Sequence, residues 1–281
     1  MRDDFCLFIL THGRPDNIPT IKSLKRAGYT GKYFIVIDDE DKKIERYKEL
    51  YGDKVIVFNK KEESKTTDVA DNFSKRNVVL FARNTCFKIA KRLGINYFME
   101  LDDDYERFEF IFDKKGKFKH RKIKNLNKVL EVTIKFYINS GATCMAFAQA
   151  GELIGGKLGM GKDIRIKRKA MNTMLCSVER PFKYFGRINE DVNAYTWYGQ
   201  TGKLFLQLNT VSIVQQKTQS NPGGLSDVYL EMGTYVKSFY SVMFCPSFVK
   251  ITKMGWKDMR IHHKIAWKNA VPCIIREENK K

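Results

Sequence analysis

The sequence predicts an α/β fold: a mostly parallel central sheet flanked by helices, with a smaller and less regular region in the second half. Three observations predict it. Short apolar runs of the kind that form strands buried on both faces recur from Phe5 to Leu101. Most of them run into a polar or acidic turn. Segments with helical spacing, two of them stopped by glycine, separate the runs, and this alternation describes a parallel sheet with covered faces.

Phe5–Leu10 is the first strand and ends in the turn Thr11-His-Gly-Arg-Pro-Asp-Asn17. From Pro19 to Ala27, Ile21 and Leu24 stand at helical spacing, and Gly28 is the stop. Tyr33–Ile37 is the second strand and ends in Asp38-Asp39-Glu40-Asp41. Lys42–Tyr51 reads as a charged helix, Lys54–Phe58 as a third strand, and 59–75 as a polar loop. Asn77–Leu93 has helical periodicity with Gly94 as its cap, and Tyr97–Leu101 is the fourth strand. Ligands of such sheets bind beyond the carboxyl ends of the strands. Thr11–Asn17, Asp38-Asp39 and Asp102–Asp104 are therefore expected to meet in one crevice.

In the second half, Asp113–Lys124 is strongly basic with a hairpin-like Lys-Gly turn, and Asn125–Ser140 is an amphipathic helix. Cys144–Ala148 and Leu204–Val214 read as strands, and Val228–Val242 as a helix. Gly151–Gly161 holds five glycines and predicts a mobile loop; Lys217–Asp227 is rich in turn residues. Neither a repeat nor a linker interrupts the chain, so residues 1–281 are expected to form one domain, with halves at 1–110 and 111–281.

Charge narrows the function. There are 51 Lys and Arg against 32 Asp and Glu, a net charge of +19. Such an excess points to a polyanionic partner, of which nucleic acid is the commonest; the plain alternative is a basic protein with no polyanion. The basic segments 114–124 and 162–169 would carry the contacts, through Lys119, Arg121, Lys122, Lys124, Arg165, Lys167 and Arg168. No uncharged apolar run reaches the length of about 18 residues that a membrane span needs. The N-terminus leads straight into a strand without a signal-peptide pattern. Six scattered cysteines, with no Cys-x-x-Cys pair, read as reduced core thiols, and the chain is expected to be cytoplasmic and monomeric.

Three consecutive aspartates, Asp102-Asp103-Asp104, close the fourth strand. Clustered carboxylates repel one another, and a hard divalent cation such as Mg²⁺ or Mn²⁺ neutralises them with oxygen ligands. A solvated Asp-rich turn is the bland alternative. A second acidic pair, Glu190-Asp191, follows a glycine turn in Phe185-Gly-Arg-Ile-Asn189. It offers either a general base or a helix cap.

A strand followed by Thr-x-Gly-Arg, an Asp-rich second strand end, Ala82-Arg83-Asn84 opening a helix, and Leu-Asp-Asp-Asp resembles the GT-A glycosyltransferase fold. The resemblance implies a nucleotide-sugar donor over the first half and an acceptor over the second. Nucleoside and ribose contacts would fall on Thr11, Gly13, Arg14, Asp38 or Asp39, and on Asp102 and Asp103. Arg83 would pair with the diphosphate. Asp102 and Asp104 would hold Mn²⁺ or Mg²⁺, with His262 or His263 as a C-terminal ligand; adjacent histidines are not expected to face one site. Glu190-Asp191 resembles the acceptor-side acid motif of inverting GT-A enzymes, where the second acid is usually the base. Tyr195, Trp197 and Tyr198 are candidates to stack on an acceptor base, with core packing as the alternative.

A narrower resemblance rests on residues 11–17, 101–105, 186–191, 218–225 (Thr-Gln-Ser-Asn-Pro-Gly-Gly-Leu) and 260–265 (Arg-Ile-His-His-Lys-Ile). Together they are similar to the TET-associated glycosyltransferases, a family encoded largely by phages. That similarity implies sugar transfer, with UDP-glucose the first candidate donor, onto 5-hydroxymethylcytosine or 5-hydroxymethyluracil in DNA. The remaining readings are a glycosyltransferase acting on protein or glycan, a non-catalytic DNA-binding protein, and a metal nuclease using Asp102–Asp104.

Overall fold

The structure, a computed structural model, describes residues 1–113, 115, 117–149, 166–216, 236–254, 260–272 and 277. The expected loops at 151–161 and 217–227, Arg165 and Cys273 lie outside these residues, as does the first part of the expected helix from Val228.

The strands are β1 (Phe5–Leu10), β2 (Lys32–Asp38), β3 (Val55–Phe58), β4 (Tyr97–Asp102), β5 (Tyr105–Phe112), β6 (Phe118–Lys122), β7 (Cys144–Gln149), β8 (Met174–Ser177), β9 (Phe205–Gln215), β10 (Val249–Met254) and β11 (Arg260–Ile265). The helices are α1 (Pro19–Arg26), α2 (Ile44–Tyr51), α3 (Lys60–Ser64), α4 (Leu80–Arg92), α5 (Leu126–Ser140), α6 (Glu190–Gln200) and α7 (Lys237–Phe244).

One sheet runs β3-β2-β1-β4-β8-β7-β9-β5-β6, and β10 pairs with β11 in a separate hairpin. The first four strands are mutually parallel, and β8 and β5 run against the other seven. Strand β1 lies inside the parallel half and is buried along its whole length. Alternation along it feeds two cores. Phe5, Leu7 and Ile9 join Ile21 and Leu24 of α1 and Leu126, Leu130 and Ile134 of α5. Cys6, Phe8 and Leu10 join Leu80, Phe81 and Ile89 of α4 and Val192 and Tyr195 of α6. Five cysteines are described; all are free and buried.

Only Asp103 and Asp104 separate β4 from β5, yet β8, β7 and β9 stand between those strands in the sheet. In a flat sheet four strand spacings amount to about 19 Å. Three Cα steps reach no more than about 11 Å. The sheet therefore curls, and β9 accommodates the curl with a register shift between its pairings at Phe147 and Ala148 of β7.

Several expectations are corrected. The polar stretch 59–75 contains α3, started by Asn59, whose side chain accepts from the Glu62 N–H. Helix α4 begins at Leu80 instead of Asn77. Strands β5 and β8 and the β10–β11 hairpin add structure to stretches that carry no clean periodicity. Gly28 is the stop after α1, and its φ of +74° and a distance of 2.5 Å from an added Cβ to the Lys124 carbonyl oxygen leave room for glycine alone.

Candidate active site

The ends of β1, β2 and β4 converge, as the topology requires. Thr11 Oγ1 donates to Asp103 Oδ2 at 2.5 Å, and Arg14 Nη2 lies 3.2 Å from the same oxygen. Asp103 is 4% exposed, so it anchors the β1 turn to the acidic turn. Burial raises its carboxyl pKa, against Arg14 and Thr11. The Gly13 N–H donates to Asp41 Oδ2 at 2.6 Å, and the Arg14 N–H to the Tyr47 hydroxyl at 2.9 Å.

At the end of β2, Asp38 is held from two sides. His12 Nδ1 is 2.8 Å from its Oδ2 and Lys60 Nζ is 3.2 Å from its Oδ1. Burial opposes ionisation of Asp38, but His12 and Lys60 outweigh it and keep the carboxyl below the ordinary value. The hydrogen bond to Asp38 raises the His12 pKa in return. Asp39 is exposed and accepts from the Lys60 N–H at 3.0 Å.

The acidic turn is gripped from below by α1. Thr20 Oγ1 donates to the Asp102 carbonyl and accepts from the Tyr105 N–H, at 2.7 and 2.9 Å. Asp104 lies beside Asp102 and Asp103, and one of its oxygens is buried without a hydrogen-bond partner. Burial, with the charges of Asp102 and Asp103, pushes its carboxyl up to about 7. A cation would relieve both conditions, so the pair Asp102 and Asp104 fits a hard divalent ion. Among the described residues no three His, Cys, Asp or Glu side chains form a metal-holding group.

Arg83 connects the two acidic motifs. Its Nη2 donates to Asp102 Oδ1 at 2.9 Å and its Nε to Glu190 Oε1 at 3.1 Å; Nη1 lies 3.5 Å from Glu100 Oε2. The residue is 3% exposed. The resemblance implies a diphosphate beside this guanidinium; the structure surrounds it with carboxylates from β4 and α6. Glu100 is fully buried, and burial pushes its carboxyl up to about 8 against the pull of Arg83.

Glu190 and Asp191 open α6. The N-cap is Asn189, in the left-handed region at φ 58°, so Asp191 is not the cap. Gly186 at φ +79° makes the preceding turn; an added Cβ would come within 2.3 Å of Asn193 Nδ2. Arg187, 2% exposed, forks onto Asp71 at 2.7 and 2.9 Å, and Tyr240 of α7 donates to the same carboxylate at 2.6 Å. The acid pair is thus held on a fixed frame. Glu190 is committed to Arg83. Asp191 is half-buried and accepts from the Val192 N–H at 2.7 Å. Burial and the neighbouring Glu190 push its carboxyl up to about 7, the range suited to a general base near neutral pH.

The other expected residues stand outside this cluster. Lys119, Arg121 and Lys122 are exposed on β6, the edge strand, and Lys124 is exposed beyond it. Lys167 bridges to Gln207, and Arg168 sits over Trp267. Tyr195 is buried at 3% exposure, Tyr198 packs on Phe182 and Phe205, and Trp197 is 42% exposed. His262 and His263 lie on β11 with ring centroids 4.3 Å apart, closer than alternation along a strand suggests, and nothing in the structure explains this. Burial, with His262, Lys237 and Lys169 nearby, pushes His263 down to about 4; no carboxylate of the acidic turn acts on it.

His12, Asp41, Tyr47, Lys60 and Glu100 belong to the site without having been expected. His12 stood in plain view between Thr11 and Gly13. Glu100 had a readable signal: a carboxylate inside an apolar strand needs a proton or a cation.

The sheet order is that of a mixed α/β fold with a parallel half whose strand ends carry the acidic turns. The family profile described as TET-Associated Glycosyltransferase matches residues 5–224, and the chain belongs to that family. No curated protein matches the sequence. Among solved structures, the chain is similar to TarS 1–349 of S. aureus in complex with UDP, with 10% identity and a TM-score of 0.43 over 84% of this chain and 65% of that one. It therefore spans less than two thirds of that TarS chain. It is also similar to glucosyl-3-phosphoglycerate synthase from Mycobacterium tuberculosis in complex with Mn²⁺, UDP and phosphoglyceric acid, with 11% identity and a TM-score of 0.44 over 93% and 86% of the two chains. With GalNAc-T7 bound to UDP, GalNAc and Mn²⁺ the identity is 14% and the TM-score 0.40, over 78% and 44%. Among the described residues no helix is long and apolar enough to cross a membrane.

Proposed function

We propose that the protein transfers a sugar from a nucleotide-sugar donor, UDP-glucose being the first candidate, to the hydroxymethyl group of a modified pyrimidine in DNA. The observation that carries this reading is Arg83, which fixes Asp102 of the donor turn and Glu190 of the acceptor pair to one guanidinium. The nucleoside would rest on the Thr11–Arg14 turn and on Asp38, and the diphosphate beside Asp102 and Asp104. Those two carboxylates would hold Mn²⁺ or Mg²⁺; among the described residues, His262 and His263 do not join them in a three-ligand group. When bound, such an ion supplies positive charge beside the leaving diphosphate.

Asp191 acts as the base. Its carboxylate takes the proton from the hydroxymethyl oxygen, that oxygen forms the new bond to the anomeric carbon, and the diphosphate leaves with the electrons of the bond it breaks. Arg83 holds Glu190 away from this exchange. A pyrimidine inside a duplex is out of reach, so the base is flipped out or presented in a single strand. The net charge of +19 and the exposed β6 edge support a DNA acceptor held by its phosphates. A single domain working as a monomer in the cytoplasm completes the reading.

The test is mass spectrometry of nucleosides from DNA containing 5-hydroxymethylcytosine or 5-hydroxymethyluracil after incubation with UDP-glucose and other nucleotide sugars. A hexose adduct on the modified base is the expected result. Adducts on a protein or glycan acceptor alone would replace the DNA reading.

A further inference from the structure

Beyond the acid pair, the C-terminal end of α6 borders a cavity of about 370 Å³, within the range of ~300–1,000 Å³ typical of small-molecule sites. Its walls include Arg168, Tyr195, Lys203, Phe205, Trp267 and Pro272. One wall is aromatic. The Tyr195 and Trp267 rings stack with centroids 5.9 Å and planes 20° apart. Tyr195 is 3% exposed and Trp267 37%, so a buried phenol backs an indole that solvent still reaches. The lining also carries two cations. Arg168 lies 5.8 Å from the Trp267 centroid and donates to the Ala270 carbonyl at 3.3 Å. The Lys203 ammonium lies 5.1 Å from the Tyr198 ring. Among the described residues neither cation has a carboxylate partner; burial alone acts on Arg168.

A partly exposed indole beside two cations that have no carboxylate partner among the described residues selects a flat ring joined to an anion. A neutral sugar would use the indole and leave both cations unused. The cavity is distinct from the donor crevice, since none of its walls comes from β1, β2 or β4. It is nonetheless close to the chemistry. Tyr195 follows Asp191 by four residues of α6, one turn or about 6 Å of rise on the same face.

We propose that this cavity holds one nucleotide of the acceptor strand, next to the base that receives the sugar. The nucleobase lies against Trp267, and its phosphate is drawn to Arg168 and Lys203. The proposal rests on the DNA reading above, and binding without transfer separates the two.

The probe is an unmodified single-stranded oligothymidylate, which has no hydroxymethyl group to react, with dTMP alone as the second arm. Fluorescence anisotropy with the full chain is expected to show oligonucleotide binding that Trp267→Ala weakens by about 5- to 150-fold, the loss expected for one base stacked on an aromatic ring. Trp267→Phe restores most of it. Arg168→Gln lowers the salt dependence, and UDP affinity is the same in every variant, which also certifies folding. Equal oligonucleotide binding by wild type and Trp267→Ala overturns the cavity proposal and leaves the DNA reading standing. Binding of dTMP without the oligonucleotide overturns the strand assignment, and failure to bind either overturns it together with the DNA reading.

Discussion

Arg83 Nε meets Glu190 Oε1 at 3.1 Å across 107 residues of sequence, and the same guanidinium meets Asp102 at 2.9 Å. The two acidic motifs thus share one buried cation, and its removal leaves Glu100, Asp102 and Glu190 without their common counter-charge. Breaking a buried pair from one side costs about 3–5 kcal/mol. Arg83→Ala should lose stability on that scale in urea unfolding, and a variant as stable as wild type would show that the cluster is not held by Arg83.

Asp191→Asn should keep nucleotide binding and lose transfer by about 10²- to 10⁴-fold, the usual worth of a general base. Glu190→Gln should instead lose stability together with activity, because it strips a partner from Arg83. Turnover intact in Asp191→Asn and abolished in a stably folded Glu190→Gln would exchange the roles.

The same carboxyl, as the proposed base, should set a pH limb. A base at Asp191 would work only when ionised, and its pKa is pushed up to about 7. Activity should therefore rise with pH through about 7 and level off above it. Steady-state rates from pH 5.5 to 9 at saturating donor would reveal the limb, and a rate flat from pH 5.5 upward would place the base elsewhere.

Glu100 gives stability the opposite slope. Its folded pKa, about 8, lies above the ordinary 4.5. The folded state then binds the proton more tightly than the unfolded chain does. Its contribution is complete below about pH 4.5 and is lost as pH rises through about 8. Glu100→Gln should flatten that stretch, so the Tm difference between the mutant and wild type should move in favour of the mutant from pH 5 to pH 9. A constant difference would mean that Glu100 does not titrate in this window.

Asp104→Ala should leave the fold intact and abolish the Mn²⁺-dependent part of nucleotide binding, measured by calorimetry with and without the ion. On the DNA side, changing Lys119, Arg121, Lys122 and Lys124 to Ala together should weaken binding to unrelated duplexes alike and flatten the salt slope by about 0.9 for each phosphate that is no longer neutralised. Gel shifts across a salt series on two sequences would decide it.

Much of the parallel half was legible because strands buried on both faces leave unbroken apolar runs, and the acidic turns announced themselves by composition. What was hidden had physical reasons. Lys60-Lys-Glu-Glu-Ser64 has no apolar period to betray a helix, although Lys60 is 4% exposed against Asp38. Strand β5 carries Arg107 and Glu109, paired at 2.5 Å, within its run and is broken by register shifts. Strand β8 is four residues long, too short to show a pattern. The motif residues could be named from sequence, but their division of labour could not. That Asp103 is an anchor, Glu190 a partner of Arg83 and Asp191 the acid that Arg83 does not bond depends on contacts between segments about 80 to 110 residues apart.

The two-residue step from β4 to β5 makes the length of the acidic turn a matter of architecture. An insertion there would slacken the tether that bends the sheet and free β5 to slip along β9, scrambling a registration that begins at Tyr105 opposite Gln215. Evolution and engineering alike are left with the connection between β5 and β6 as a place to change length. A family built on this plan should vary there in length and keep the number of residues between Asp102 and Tyr105 constant.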